Sequence, residues 1–324
     1  MNHAMPRKIT FLLALIVALG LPLVLRSGSL ASEVLIYALA ALGCNLLLGY
    51  TGLLSFGQGI FFGLGSYTIA ILLTRLQLQL PLALLAAIAM GALGAAVVGW
   101  VAIRQRGTYF VMLTLAFAQM FYFVAYTASG LTGGDNGLLD VPRPAFMDTP
   151  WKYYAFVAVV FLIAFGLLLR VTDSIFGRTL LAIRDNEDRA AAVGYNLKRF
   201  KLLAFVISGA VTGLAGGLHA MMTGIAPLSN AEYHTSEMIL VITVIGGTGN
   251  LFASVLGSAF YVLLADWLST LWPRWLLLLG LLLIGVSIGM QRGLWGLGEA
   301  AWRRVFRKTP APVSVAPEAQ GEKA

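Results

Sequence analysis

The chain has 324 residues, 59% of them hydrophobic and only 11% charged, and its mean hydropathy is +0.85. An ordinary soluble domain carries about 25% charged residues, so too little polar surface is present here to cover a water-facing globule. The formal net charge of +8 would point to nucleic acid in a soluble protein but here reads as membrane orientation, and the lone Cys44 excludes an intrachain disulfide framework and a cysteine-rich metal site.

A helix needs about 20 apolar residues to cross hydrocarbon. The apolar runs predict spans near 9–25, 34–50, 59–74, 81–103, 108–128, 153–170, 201–223, 236–248, 251–268 and 275–291. The first follows Arg7 and Lys8 as a secretory leader would, but no clear small-x-small cleavage site comes after it, and it is read as a retained span. The third and eighth are short, so either a full crossing or a re-entrant or broken segment fits them. The expected fold is an all-α, polytopic membrane helix bundle of about 8–10 transmembrane helices with short or broken segments. Residues 1–308 form one transmembrane domain, and 309–324, TPAPVSVAPEAQGEKA, read as a disordered cytoplasmic tail.

With the N-terminus in the cytoplasm, ten crossings place both termini there, with 17 Lys and Arg inside and five outside: Arg26, Arg75, Arg143, Lys152 and Arg274. That asymmetry is the positive-inside pattern. No Asp, Glu, Lys or Arg falls in the middle of a run, whereas a proton-driven carrier places a carboxylate or histidine relay there. His219, the one histidine deep in a run, reads as a helix-packing residue. No nucleophile–base set, paired carboxylates or HExxH motif stands at span depth, so neither catalytic residues nor a metal site is expected.

Glycines cluster in GYTGLLSFGQGIFFGLGSYT (49–68) and GGTGNLFASVLGSAF (246–260), and G-x-T-G-x-L occurs at 49–54 and again at 246–251. Broken segments in two halves of a transporter mark a central path. On that reading Ser55, Gly57, Gln58, Gly246, Gly247 and Gly249 line the path; close helix packing accounts for many of the same glycines. Thr132, Gly133, Gly134, Asp135 and Asn136 form an external loop, either a simple turn or a docking surface.

Between the sixth and seventh spans lies GRTLLAIRDNEDRAAAVGY, 177–195. Wound as one helix over 180–194, it places Leu180, Ile183, Glu187, Ala190, Ala191 and Gly194 on one face, flanked by Arg184, Asp185, Asp188 and Arg189. Its second half is small and flat, which permits another surface to approach closely. A lipid-bound helix would instead carry bulky apolar residues and a lysine-rich face. The alternative is a plain connector packed on its own bundle.

GLLSFGQGIFFGLGSYT, RGTYFVMLTLAFAQM, LTGGDNGL, GRTLLAIRDNEDRAAAVGYNLKRFKLLAFVISG and VIGGTGN occur in this order, and together they resemble the LivM-type permeases of branched-chain amino acid ABC importers over about residues 33–290. The 177–195 stretch resembles that family's coupling helix. The general EAA-x3-G pattern is met loosely: Glu187 is followed by Asp188 and Arg189, the alanines come at 190–192, and Gly194 closes it. The resemblance implies that Ile183, Arg184, Asp185, Asn186, Glu187, Ala190, Ala191 and Gly194 couple to an ATPase. It also implies a second homologous permease, two cytoplasmic ATPase subunits, a periplasmic substrate-binding protein and a bacterial inner membrane location, with no nucleic acid. No G-x4-GK-[ST] loop occurs in the chain, so no cofactor of its own is expected and ATP would be bound by the partners. Related permeases for urea, amides or aromatic acids, and a stand-alone carrier or channel, are the alternatives.

Overall fold

A computed structural model describes residues 7–25 and 27–271, together with 274, 277–281, 284 and 293–296. Most of the expected span at 275–291, and all of the tail at 309–324, lie outside the described residues. Each of the other expected spans forms helix. At membrane depth no water satisfies the backbone, so N–H and C=O groups bond within their own segment.

In chain order the helices are α1 (Arg7–Val24), α2 (Gly28–Asn45), α3 (Gln58–Thr74), α4 (Leu80–Ala102), α5 (Thr108–Thr127), α6 (Ser129–Thr132), α7 (Pro150–Asp173), α8 (Ile175–Asp185), α9 (Glu187–Ala192), α10 (Leu197–Thr223), α11 (Tyr233–Gly246) and α12 (Leu251–Leu271). A π-helical turn, Leu46–Thr51, extends α2, and short 3-10 turns at Gly134–Asn136, Ala145–Met147 and Leu228–Ala231 occupy connections. Among the described residues there is no β-strand, only an isolated bridge between Leu138 and Ala226. Among the described residues, six helices are long and apolar enough to cross a membrane: α2 with its π turn, α4, α5, α7, α10 and α12. The chain is an all-α, multi-pass membrane bundle.

The axis of the bundle is α2, buried along nearly its whole length, with Cys44 inside it. Around it, α10 packs closely against α3 and α4, with backbone meeting backbone at the glycines. A Cβ added to Gly91 of α4 would lie 2.3 Å from the Gly209 carbonyl oxygen, and one added to Gly65 of α3 would lie 1.8 Å from that of Gly213. Helices lacking an aqueous driving force associate through such small-residue seams.

The short runs are broken segments. Gln58 donates to Ser208 Oγ at 3.0 Å and accepts from Thr212 Oγ1 at 2.7 Å, both on α10, so α3 starts beside α10 inside the bundle. The Gly59 amide donates to Ser236 Oγ in the first turn of α11, at 2.7 Å. The two helices thus begin together in the interior and run to opposite ends. With 17 and 14 residues they extend about 25 Å and 21 Å, less than the roughly 30 Å of a hydrocarbon core. The irregular stretch 52–57 and the 3-10 turn Leu228–Ala231 complete the two crossings.

At one end lie α8, α9 and the connections 52–57, 103–107 and 247–250, here called the basic end after Arg104, Arg106, Arg178, Arg184, Arg189, Lys198, Arg199 and Lys201.

Candidate functional site

The 180–194 stretch departs from the single helix expected of it. Asn186 is extended, at φ −162° and ψ 105°, and divides α8 from α9. Its side-chain oxygen accepts from the Arg189 amide at 2.8 Å, the N-cap bond for which asparagine is among the best residues. The expected common face is therefore split. Leu180 and Ile183 are fully buried and Ala190 nearly so, all three turned into the bundle. Ala191, Ala192, Val193 and Gly194 are exposed, bordered by Asp185, Asp188 and Arg189. Gly194, at φ +96°, takes the left-handed conformation that ends the turn and that glycine adopts without steric cost.

Glu187 also points inward. Its Oε1 accepts from Lys201 Nζ at 2.6 Å, and Arg106 Nε lies 3.6 Å from its Oε2. Lys201 is 5% exposed, and a buried ammonium is tolerated when it is paired. This pair clamps α9 onto α10, and Arg106, also 3.8 Å from Asp188, ties both to the α4–α5 connection. Of the residues assigned to the coupling face, Ile183, Glu187 and Ala190 therefore hold the helices to the bundle, while Asp185, Asn186, Ala191 and Gly194 stand at its surface.

Arg184 stays in the ring of charges, part-exposed and 3.5 Å from Asp185, and also reaches the spans. Its guanidinium donates to the Gly49 carbonyl oxygen, near the end of the π turn. The two G-x-T-G-x-L motifs meet at this place. Asn45 joins them: its Oδ1 accepts from the Gly249 amide at 3.0 Å, and its Nδ2 donates to the Asn250 carbonyl at 2.8 Å and to Ser254 Oγ at 2.9 Å. A Cβ on Gly49 would stand 2.4 Å from the Gly249 nitrogen, so only glycine allows this approach. Gly246 packs on α12, where a Cβ would lie 2.1 Å from the Ala253 carbonyl oxygen, and Gly247 is buried beside it.

The other residues assigned to the path are also interior. Ser55 and Gln58 are buried, and the chain itself uses their polar atoms. Ser55 Oγ accepts from the Gly57 amide at 3.1 Å, and Gln58 bonds as described above. Thr114 Oγ1 accepts from the Phe56 amide at 3.2 Å, so the amides entering α3 are satisfied from within. These groups build the broken segment and present no free polar surface.

Of the six spanning helices α5 is the least buried, and its face of Tyr109, Met112, Ala116, Gln119, Phe123 and Tyr126 is exposed. Gln119 stands near the middle of this helix, where a lipid-facing amide would have no partner.

At the opposite end, the 132–136 loop is a folded cap. Thr132 Oγ1 donates to the Ala125 carbonyl oxygen at 2.6 Å and accepts from the Gly134 amide at 3.2 Å. The next residues pair with the α10–α11 connection through Leu138 and Ala226. Gly133 is half-buried and Gly134 buried, leaving Asp135 and Asn136 exposed at the tip. His219 packs beside the stacked Tyr37 and Phe62 rings, with its Nδ1 3.3 Å from the Asn230 amide nitrogen, the packing role read from the sequence. Among the described residues no cluster of His, Cys, Asp or Glu is arranged to hold a metal ion.

Residues 26–287 match the model of a family described as the permease component of branched-chain amino acid transport systems. The chain is 30% identical to the high-affinity branched-chain amino acid transport system permease protein LivM of Salmonella typhimurium, over 89% of this chain and 75% of that one. It is 31% identical to LivM of Escherichia coli, over 88% and 74%. The autoinducer 2 import system permease LsrC of an Enterobacter species is 26% identical over 87% of this chain and 86% of its own. No solved structure matches. The chain belongs to the family of branched-chain amino acid transport system permease components.

Proposed function

We propose that this chain is the permease subunit of an ATP-driven importer of the ABC class. It would supply half of a path for branched-chain, hydrophobic amino acids received from a periplasmic binding protein. It sits in the inner membrane of a bacterium with the basic end in the cytoplasm, where Lys and Arg outnumber their counterparts on the other side. ATP is bound and hydrolysed by two partner subunits; this chain is a conduit and not an enzyme.

The observation that carries the coupling role is the exposed shelf Ala191–Gly194, with Asp188 and Arg189 on its border. It is flat enough for close docking and charged enough at its edge to set register. A second homologous permease completes the path against the exposed face of α5, where Gln119 is the polar group at mid-depth. Neutral walls suit a zwitterion, since neither of its end groups is trapped. The likeness to LivM favours aliphatic amino acids, and much of the selectivity lies in the binding protein.

The test is Ala191→Arg in the assembled complex. The chain should still insert, while uptake and permease-dependent ATP hydrolysis fall to background. Normal uptake by this variant would remove the docking role, and uptake that persists when ATP hydrolysis is blocked would remove the importer class altogether.

A further inference from the structure

The coupling helices touch the spans at one place that reaches both broken segments. Arg184 is part-exposed on α8, where its Nη2 lies 3.5 Å from Asp185 Oδ1, and its Nη1 donates to Gly49 in the last turn of the α2 extension. Its side chain also packs over Gly52, where an added Cβ would lie 3.1 Å from Arg184 Cγ, and its Nη1 lies 3.4 Å from the Cβ position of Gly249. Gly52, at φ +72°, closes the π turn. A cation suits this position, because the last carbonyls of a helix have no partner within it and carry the negative end of its dipole. From Gly49 the contacts continue through Asn45 to Gly249, Asn250 and Ser254. One guanidinium therefore connects α8 to the end of α2 and, through a single amide side chain, to the α11–α12 turn and to α12.

We propose that Arg184 is the positioning residue that transmits motion of α8–α9 to the spans. It acts inward, on the two glycine motifs, and makes no ATPase contact. When the partner pulls α9, the end of α2 and the α11–α12 turn follow as one body because Arg184 and Asn45 pin them together. Arginine is needed in place of lysine because its fork supplies several donors in fixed geometry. This role rests on the coupling function proposed above, and it assigns transmission to a residue other than those of the docking shelf.

The experiment uses the complete complex in proteoliposomes with Arg184→Ala and Arg184→Lys. For Arg184→Ala the ATPase subunits should stay bound and ATP hydrolysis should continue, while substrate moved per ATP falls by about tenfold or more, the size of an ordinary coupling energy. Arg184→Lys should fall between this and the parent. An unchanged ratio of uptake to hydrolysis overturns the proposal. So does parallel loss of both with release of the ATPase, which would make Arg184 a docking residue.

A second measurement keeps Arg184 in place and so does not depend on that variant assembling. Spin labels at Arg178→Cys on α8 and Thr248→Cys in the α11–α12 turn, both exposed, should keep one separation with and without ATP. A separation that changes between the two states breaks the single-body claim. If the parent complex itself transports without ATP, the importer reading fails instead, and the two failures are told apart.

Discussion

α2 and α5 are both apolar helices of spanning length, yet 94% of the spanning window of α2 is buried within the chain, against 22% for α5. Apolar content is similar because lipid and protein interior ask for the same side chains. The polar residues show the difference. On α2 the polar groups are used within the chain: Ser32 bonds back to Gly28 of the same helix, the Gly43 carbonyl accepts from Ser208 Oγ at 2.7 Å, and Asn45 makes three bonds to the α11–α12 turn and α12. On α5, Thr114 is used internally, whereas Gln119 is left on the bare face. Where a span is polar therefore tells more about its surroundings than how apolar it is.

The largest test of this contrast places equal bulk on each helix. Gly43→Leu would drive side-chain atoms toward Thr212 Oγ1 and the Ser208 carbonyl, since even a Cβ stands 2.7 and 2.9 Å from them. A destabilisation of about 3 kcal/mol or more is expected, seen as loss of monodisperse protein on size-exclusion chromatography. Ala116→Leu on α5 should leave the chromatogram unchanged, and a loss there as large as at Gly43 would erase the distinction.

Removing polar groups should give a smaller effect. Asn45→Leu strips the partner from the Gly249 amide, the Asn250 carbonyl and Ser254. Unmet buried groups cost about 1–3 kcal/mol, expected as a lowered midpoint of thermal unfolding in detergent.

Gln119→Leu should give the smallest change in stability, within about 0.5 kcal/mol, because no intrachain bond is lost. Its effect belongs in uptake, which should fall while the unfolding midpoint holds. If uptake is unchanged and the midpoint rises, α5 faces lipid and does not line the path.

Much of the bundle was legible from hydropathy alone, since a buried backbone at membrane depth has only helix available. The short third and eighth runs left a full crossing or a broken segment open, and their helices start in the interior. The contacts that were out of view share a cause. The partners of Gln58, Ser208 and Thr212, lie about 150 residues away. The Lys201 ammonium that pairs with Glu187 sits one helix later. Periodicity orders residues around one helix and does not see across to the next. The break at Asn186 was readable in principle: an asparagine followed by Glu187 and Asp188 is a strong helix start. A continuous 100° advance overrode it. The two G-x-T-G-x-L motifs were visible as a shared pattern, but not their meeting, because Asn45, which joins them, lies outside both.

α9 is only six residues long, far below the length at which a helix holds together in water by itself. Its winding is imposed by the Asn186 cap, by the Lys201 clamp and by Arg106 reaching over from the α4–α5 connection. The shelf therefore cannot be lifted out as a synthetic fragment of residues 175–196, which would keep the lettering and lose the contour. A partner that recognises it is in effect inspecting the assembled membrane domain, and a misfolded copy would offer nothing to grip.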